Sequence, residues 1–502
     1  MVGLTLIGSL SPLLTFEYLW QLKEWRLDRL REHMRAEGII RSIFGSLRIP
    51  ILIAFFALAF LTTINQLTAL YTLLAIFACA TLLQKLIHRQ PEPVWTQKAR
   101  ALTALAFVIT FAFAVARRED LPALSLLIVL QPLIVFAAWM LLYPVDRILK
   151  MRIMKRAKQI RAKFPDLTVI GITGSAGKTT TKELLAHVLK DKSPLTTPEH
   201  VNTELGVSKW LIDKLSKKDA VPEILIVEMG AYAPGEIAML CDIVQPNIGI
   251  TTFIGSQHIA LFGSQESLQR AKGELTASIP PHGMVFLNAD SELCTALKKY
   301  ANCEVLTVGT GGHADEEAFD VEEISTGIKF KLDGTMFEIP LHGTHNVTNV
   351  MLAISVAKTL EMPIGDIANI LKSFRPLKRT FDVRIEGDVT ILDDTHNSSP
   401  ASFKAAIAWA RNQQGANKVL LTSGLIELGM KQDRMHTELG NLSSSVFDRV
   451  IFLSARSAVS FQKGYGKEVE LYKSGIKKVP KETLLVCEGR MSEQIIRTLL
   501  PE

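Results

Sequence analysis

Cysteine is scarce and unpatterned. The 5 cysteines, Cys79, Cys241, Cys294, Cys303 and Cys487, are odd in number and show no C-x-x-C spacing. That argues against a structural zinc site or a disulfide framework, and for a reducing compartment. The amino terminus lacks both a basic n-region and a small-residue cleavage site, so no removable signal peptide is expected. The apolar runs hold no membrane-embedded charge pair or ion-pathway motif, and no ABC-type signature accompanies them, which speaks against transport. Basic residues exceed acidic ones only modestly, for a net charge of +6. The excess gathers beside the apolar runs, so it reads as membrane topology and implies no nucleic-acid partner.

A chain of 502 residues is too long for one core and predicts two to four domains. Most of its apolar content lies before residue 145. Four runs, at 49–65, 67–86, 101–116 and 121–144, are nearly free of charge and approach the roughly 20 residues that cross a bilayer. A fifth, at 3–20, carries Pro12 and Glu17, and its spanning is left open. Positive charge marks residues 21–48 (Lys23, Arg26, Arg29 among others), 87–100 (Arg89, Lys98, Arg100) and 146–163 (Arg147, Lys150, Arg152 among others). The connections at 65–66 and 117–120 have no net positive charge. The positive-inside rule then places the marked segments, and everything after 145, in the cytoplasm of a multi-pass membrane protein. Trp20, Leu27 and Met34 recur at heptad spacing among arginines. They fit a helix lying on anionic lipid equally as well as a solvated helix between spans.

The rest has a soluble α/β composition, organised around Val169-Ile-Gly-Ile-Thr-Gly-Ser-Ala-Gly-Lys-Thr-Thr-Thr-Lys-Glu183. An apolar strand leads into a glycine-punctuated turn and then a helix, the pattern of a phosphate-binding loop. Gly174 and Gly177, with Ser175 and Ala176 between them, let backbone N–H groups curl round an anion. Lys178 supplies a charge for the phosphates, and Thr179, followed by Thr180, a hydroxyl for Mg²⁺. The plain P-loop pattern is not met, because Ile172 stands where its first glycine belongs. Strands at 224–228, 248–253 and 284–287 alternate with helical patterns, including one at 346–360, which implies a mostly parallel sheet wrapped by helices. Ligands gather at the ends of such strands. Glu228 ends one of them and suits a Mg²⁺-coordinating carboxylate, or else a solvated strand end. His258 ends another, and Lys272 follows on a helix. Taken singly, the histidine reads as structural and the lysine as a surface residue.

Together these stretches resemble a known family. Gly174-Ser-Ala-Gly-Lys-Thr-Thr-Thr-Lys-Glu183, Val227-Glu-Met-Gly-Ala-Tyr-Ala-Pro-Gly-Glu236, Ile254-Gly-Ser-Gln-His258, Phe262-Gly-Ser-Gln-Glu266, Ala271-Lys-Gly-Glu274, Gly343-Thr-His-Asn-Val-Thr-Asn349 and Asp393-Asp-Thr-His-Asn-Ser-Ser-Pro400 occur in order. They are similar to motifs of the Mur ligases of peptidoglycan synthesis, and most like the members that add D-Ala-D-Ala to a UDP-muramoyl-tripeptide. The resemblance covers roughly 165–502. The apolar runs mark a membrane region at 1–150, and the resemblance implies a central ATP-binding domain at 151–376 and a Rossmann-like ligase domain at 377–502.

The reaction class that follows is ATP-dependent amide formation through an acyl-phosphate. The resemblance implies that Lys178 holds the phosphates, that Thr179 and Glu228 take one Mg²⁺, and that Glu228 with His258 takes a second. It makes Lys272 a carbamylated metal ligand. It puts Asn288, His345, Asn346 and Asn349 on the adenine side, Arg379 at the γ-phosphate and Asp394 at the ribose or a metal-bound water, with Asn397 beside it. Asn202 and Glu204 fall where the family positions the reacting carboxylate.

Three departures stand against this pattern. Membrane runs take the place of the amino-terminal domain that grips the UDP-sugar. The family's Tyr-Asn-Ala-Asn-Pro reads His396-Asn-Ser-Ser-Pro400, and its Asn-x-Asn-Asn-Glu reads His200-Val-Asn-Thr-Glu204. Its C-terminal Lys-Gly-Ser-Arg reads Cys487-Glu-Gly-Arg490. The expected protein is a membrane-anchored ligase using ATP, Mg²⁺, a UDP-linked or lipid-linked muropeptide and an amino acid or dipeptide, in contact with membrane lipids. A Mur-type ligase with a different acceptor, and a non-catalytic nucleotide-binding scaffold for wall synthesis, are the alternatives.

Overall fold

The computed structural model describes residues 1–37, 66–216, 222–255, 262–396, 399–413, 417–425, 428, 431–473 and 475–501. The apolar run at 49–65, His258 and Asn397 lie outside the described residues. The chain forms two compact units, Met1–Met151 and Arg152–Glu502.

Among the described residues of the first unit and the helix that leaves it, four helices are long and apolar enough to cross a membrane. They are Val2–Leu22, Thr68–Leu86, Gln97–Ala116 and Gln131–Arg161. The run left open at 3–20 is thus one continuous helix, with Pro12 inside it. Glu17 is buried against the helix Gln97–Ala116 and accepts a hydrogen bond from Thr103 Oγ1 at 2.6 Å. Its carboxylate is therefore turned into the unit and away from its surface. Trp20 anchors this packing, stacked on Phe136 at 5.9 Å and tilted against Trp139 at 5.0 Å.

The run at 121–144 is not one helix. It breaks at Leu130 into Leu121–Val129 and Gln131–Arg161. Pro132 has no N–H to continue the ladder, and the Gln131 side chain compensates by donating to the Leu127 carbonyl at 3.0 Å.

The second unit holds a seven-stranded sheet, all of whose pairings are parallel, ordered β2-β3-β1-β4-β5-β6-β7. Its strands are β1 (Thr168–Thr173), β2 (Leu195–Thr196), β3 (Ile224–Glu228), β4 (Ile248–Thr251), β5 (Met284–Asn288), β6 (Glu304–Gly309) and β7 (Glu316–Glu317). Both faces are covered, so the strands read as apolar runs. Ile170, Ile172, Ile224 and Ile226 face a core closed by the helices Lys178–Val188, Asn346–Thr359 and Ile364–Leu371. Val169, Leu225 and Val227 face the other, under Glu204–Leu215, Glu236–Val244 and Gln265–Ser278. Arg161, buried at the end of its helix, donates to the carbonyls of Val244 (2.9 Å) and Leu167 (3.3 Å), and so satisfies a helix C-terminus beside the entry to β1.

An antiparallel sheet of β8 (Phe319–Ile324), β9 (Gly327–Leu332) and β10 (Thr335–Ile339) follows. The chain then builds a six-stranded sheet, β11-β12-β16-β13-β14-β15. These are β11 (Asp382–Glu386), β12 (Val389–Asp394), β13 (Asn417–Thr422), β14 (Arg449–Phe452), β15 (Glu470–Leu471) and β16 (Thr483–Glu488). Only β11 pairs antiparallel. His436, buried in the helix Gln432–Ser443, is structural. Its Nδ1 faces the Gln432 carbonyl at 2.8 Å, while its Nε2 accepts from Leu425 N at 3.0 Å.

Candidate active site

The loop after β1 is built as its glycines require. Gly174 has φ +149° and Gly177 φ +83°. A Cβ on Gly174 would lie 2.1 Å from Thr252 Oγ1, and one on Gly177 2.3 Å from Asn349 Oδ1, so neither position admits a side chain. Thr252, just past β4, braces the loop by donating to the Ala176 carbonyl at 2.5 Å. Ser175 is pinned by its N–H to the Phe253 carbonyl at 2.6 Å and by its Oγ, which accepts from Gly255 N at 3.2 Å. Lys178 opens the following helix and folds back, with Nζ 2.9 Å from the Gly174 carbonyl. Its ammonium thus sits in the cup of the loop. Thr180 lies in the same first turn.

Glu228 emerges from β3 opposite this cup. Its Oε2 accepts from Thr179 Oγ1 at 2.9 Å and its Oε1 from Asn202 Nδ2 at 3.1 Å. A carboxylate and a hydroxyl side by side at a helix N-terminus are oxygen donors suited to a hard cation, and the glycine cup beside them suits a polyphosphate. Thr179, Glu228 and Asn202 fit that role by their chemistry. Glu204 begins its own helix behind the Thr203 cap.

Lys272 is buried, 4% exposed, and lines the same cleft as Gly174, Lys178, Thr179, Asn202 and Glu228. Burial pushes its amine down to about 7, helped by the neighbouring Lys178 charge. An amine of that kind is substantially neutral near physiological pH and therefore nucleophilic. Its helix neighbour Glu274 instead staples the N-terminus of Glu236–Val244, accepting from Gly235 N (2.6 Å) and Ala238 N (2.9 Å).

Comparison with known proteins places this geometry. The family model "Mur ligase middle domain" matches residues 172–357. The UDP-N-acetylmuramoyl-tripeptide–D-alanyl-D-alanine ligase of Bacillus subtilis is 30% identical over 66% of this chain and 76% of its own length. This chain belongs to the Mur ligase family. The ligase of the same name from Synechocystis is 33% identical over 55% of this chain, which spans 59% of that relative's length. Among solved structures, MurF ligase from Thermotoga maritima in complex with ADP superposes with a TM-score of 0.60 at 27% identity, over 70% of this chain and 82% of the other.

The other residues expected from the Mur ligase pattern divide into two groups. Asn288 is buried at the end of β5, donating to the Thr252 carbonyl at 2.6 Å and accepting from Asp290 N at 2.8 Å. Asn349 donates to Asn346 Oδ1 at 2.9 Å, and Asn346 to the His342 carbonyl at 2.8 Å. His345 is exposed, its ring edge-on to Phe381 at 5.0 Å. These stand on the phosphate-loop side of the unit, around the Gly177 contact. Arg379 and Asp394 are engaged elsewhere. The Arg379 guanidinium donates to Thr395 Oγ1 at 2.9 Å and to the Met491 carbonyl. Asp394 is buried at the end of β12, accepting from Phe381 N at 3.1 Å, and burial raises its carboxyl to about 6.

Sequence reasoning missed three contributors. Lys182, 1% exposed, donates to the Thr197 carbonyl at 2.8 Å and lies 4.0 Å from Glu228. The signal was available, since one helical turn puts it on the face of Lys178. Arg490 and His396 come from the six-stranded sheet into the cleft that holds Lys178 and Glu228; both stand in motifs noted for departing from the family pattern, but neither was given a role.

Proposed function

We propose that this chain is a membrane-attached, ATP-dependent ligase of peptidoglycan-precursor synthesis that joins a muropeptide carboxylate to an amine such as D-Ala-D-Ala. The observation that carries the proposal is the convergence of Lys178, Thr179, Glu228, Asn202 and the buried Lys272 on one cleft, in a chain whose Bacillus relative is named for that ligation. Lys178 and the glycine loop would hold the phosphates of ATP. Thr179 and Glu228 would hold Mg²⁺, with Lys272 as a carbamate and His258 as further ligands. Bound there, the metal supplies positive charge against the phosphate oxygens. Asn202 fixes one oxygen of Glu228, leaving the rotamer of that carboxylate no freedom to turn away. A cleft that keeps the Lys272 amine neutral also excludes water, which protects an acyl-phosphate from hydrolysis. The intact polar set favours catalysis over a scaffold role.

In this proposal residues 1–150 form the membrane region, 151–376 the ATP-binding domain and 377–502 the ligase domain, with both soluble domains in the bacterial cytoplasm. Four helices of spanning length and composition favour a second version, in which the acceptor is lipid-linked and not UDP-linked. Phosphate release by the detergent-solubilised chain tests both versions. ATP and Mg²⁺ are supplied with either carrier, with and without D-Ala-D-Ala, and Lys178→Ala is the control. Release that needs both peptide partners, with the matching mass gain, is the expected result and identifies the carrier. Silence with both carriers would overturn the assignment.

A further inference from the structure

We propose that Glu199, His200 and His396 form a binding site for a divalent transition-metal ion of the zinc or cobalt class, which ties the loop ahead of the helix Glu204–Leu215 to the loop after β12. The ligand atoms of the three residues all lie within 4.8 Å of one another. Glu199 Oε1 is 2.7 Å from His396 Nε2 and 3.9 Å from His200 Nε2. Two metal–ligand bonds of about 2.1 Å at a tetrahedral angle separate their donors by about 3.4 Å, so these separations need only small side-chain adjustments.

The local structure is built for convergence. The two imidazoles stack at 5.0 Å with 16° between their planes. His200 is held at φ +66°, in the left-handed region that a residue with a Cβ enters at a cost. The backbone N–H of His396 is fixed to the Arg379 carbonyl at 3.0 Å. Its Nε2 is buried without an aligned hydrogen bond even though the Glu199 oxygen is close. The carboxylate oxygen and the two imidazole nitrogens are thus gathered closely enough to serve one ion.

The donor set selects the class of ion. Two imidazoles and one carboxylate suit zinc, cobalt or nickel and are poor ligands for magnesium, which demands oxygen. Three protein ligands leave a fourth position open. Arg490 and Lys178 line the same cleft, and their charge weakens any cation, so the expected affinity is modest. Its three ligands share the cleft with Thr179 and Glu228 but take no part in the Thr179–Glu228–Asn202 contacts, and both histidines stand where this chain departs from the Mur ligase pattern. The inference therefore does not depend on the ligation reaction.

Cobalt titration of the full chain in detergent, with Mg²⁺ in excess, tests it. The expected result is one Co²⁺ per chain with the intense visible absorption of a four-coordinate site, joint hydrogen-exchange protection of the segments around His200 and His396, and no change in Glu228→Gln. His200→Ala and the bulk-preserving His396→Gln should each weaken binding by at least about tenfold, with thermal midpoints confirming that both fold. No Co²⁺ absorption, equal affinity in both histidine variants, or a loss confined to Glu228→Gln would each overturn the proposal.

Discussion

The buried amine of Lys272 yields the most exacting prediction. An unperturbed lysine is neutral in roughly one molecule per thousand at pH 7.5. With the amine pushed down to about 7, roughly three-quarters of the molecules are neutral at that pH, and about a tenth at pH 6. Only the neutral amine can attack CO₂, forming the N–C bond of a carbamate and releasing a proton. At fixed dissolved CO₂ the neutral fraction falls roughly eightfold between pH 7.5 and 6 and the released proton adds a factor of about thirty, so an unsaturated carbamate should fall by roughly two hundredfold or more. The assay is the ¹³C carbamate resonance of the metal-free chain under labelled bicarbonate, with Lys272→Met as the blank. Lys178→Met should weaken the signal as well, since Lys178 both lowers the Lys272 pKa and attracts the anionic product. The same shift has a stability consequence. The folded-state pKa lies below the unfolded value, so the contribution of Lys272 to stability grows as pH rises from about 7 toward 10 and is lost below 7. A signal that survives in Lys272→Met, or that ignores pH, would refute the reasoning.

Other consequences are equally direct. Gly177→Ala combines a φ of +83° with a Cβ 2.3 Å from Asn349 Oδ1 and should weaken ADP binding by more than about tenfold. Gly235→Ala, at φ +91° with open space around it, should cost about 1 kcal/mol of stability and leave ADP affinity unchanged; calorimetry on both variants checks the contrast. Lys182→Met leaves the Thr197 carbonyl unpaired and should lower stability by about 2 kcal/mol, while also raising the Mg²⁺ concentration needed for activity. Asp394, raised by burial to about 6, binds a proton in the folded state that the unfolded chain has already lost. Its contribution is thus greatest below about pH 4 and is lost as pH rises through 6, by roughly 3 kcal/mol. Thermal midpoints of Asp394→Asn should fall less than wild type between pH 5 and 8, and parallel curves would contradict this. Under the proposed ligation Arg490, a cation lining the cleft, can pair with the carboxylate of the incoming dipeptide, so Arg490→Met should raise the KM of that substrate by about tenfold with little change in that of ATP; the opposite split would rule this pairing out.

What the sequence disclosed follows the range of the interaction. The strand, loop and helix from Val169 to Val188 were legible because glycine conformation, a lysine and a helix start are neighbours in the chain. Glu228 was legible as an acid ending a buried strand, and its contact with Thr179 follows once β1 and β3 are adjacent. Glu17 was not readable for the opposite reason. Its partner Thr103 is 86 residues away, so an acid in an apolar run could not be told from one that prevents insertion. The break at Leu130 carried a local sign in Pro132, but the apolarity of the whole run concealed it.

The departures from the Mur ligase pattern divide by depth, and that division bears on specificity. Cys487 and Glu488 lie in β16, in register with Asp393 and Asp394 of β12, and all four are buried. These side chains are therefore packed inside the sheet and offer no surface to a substrate. Of that C-terminal motif, only Arg490 lines the cleft. His200 and His396 line the cleft itself and meet there. A group entering the cleft therefore meets one arginine and a histidine pair beside the phosphate loop. Differences in what the enzyme accepts should accordingly map to those three side chains and not to the phosphate loop.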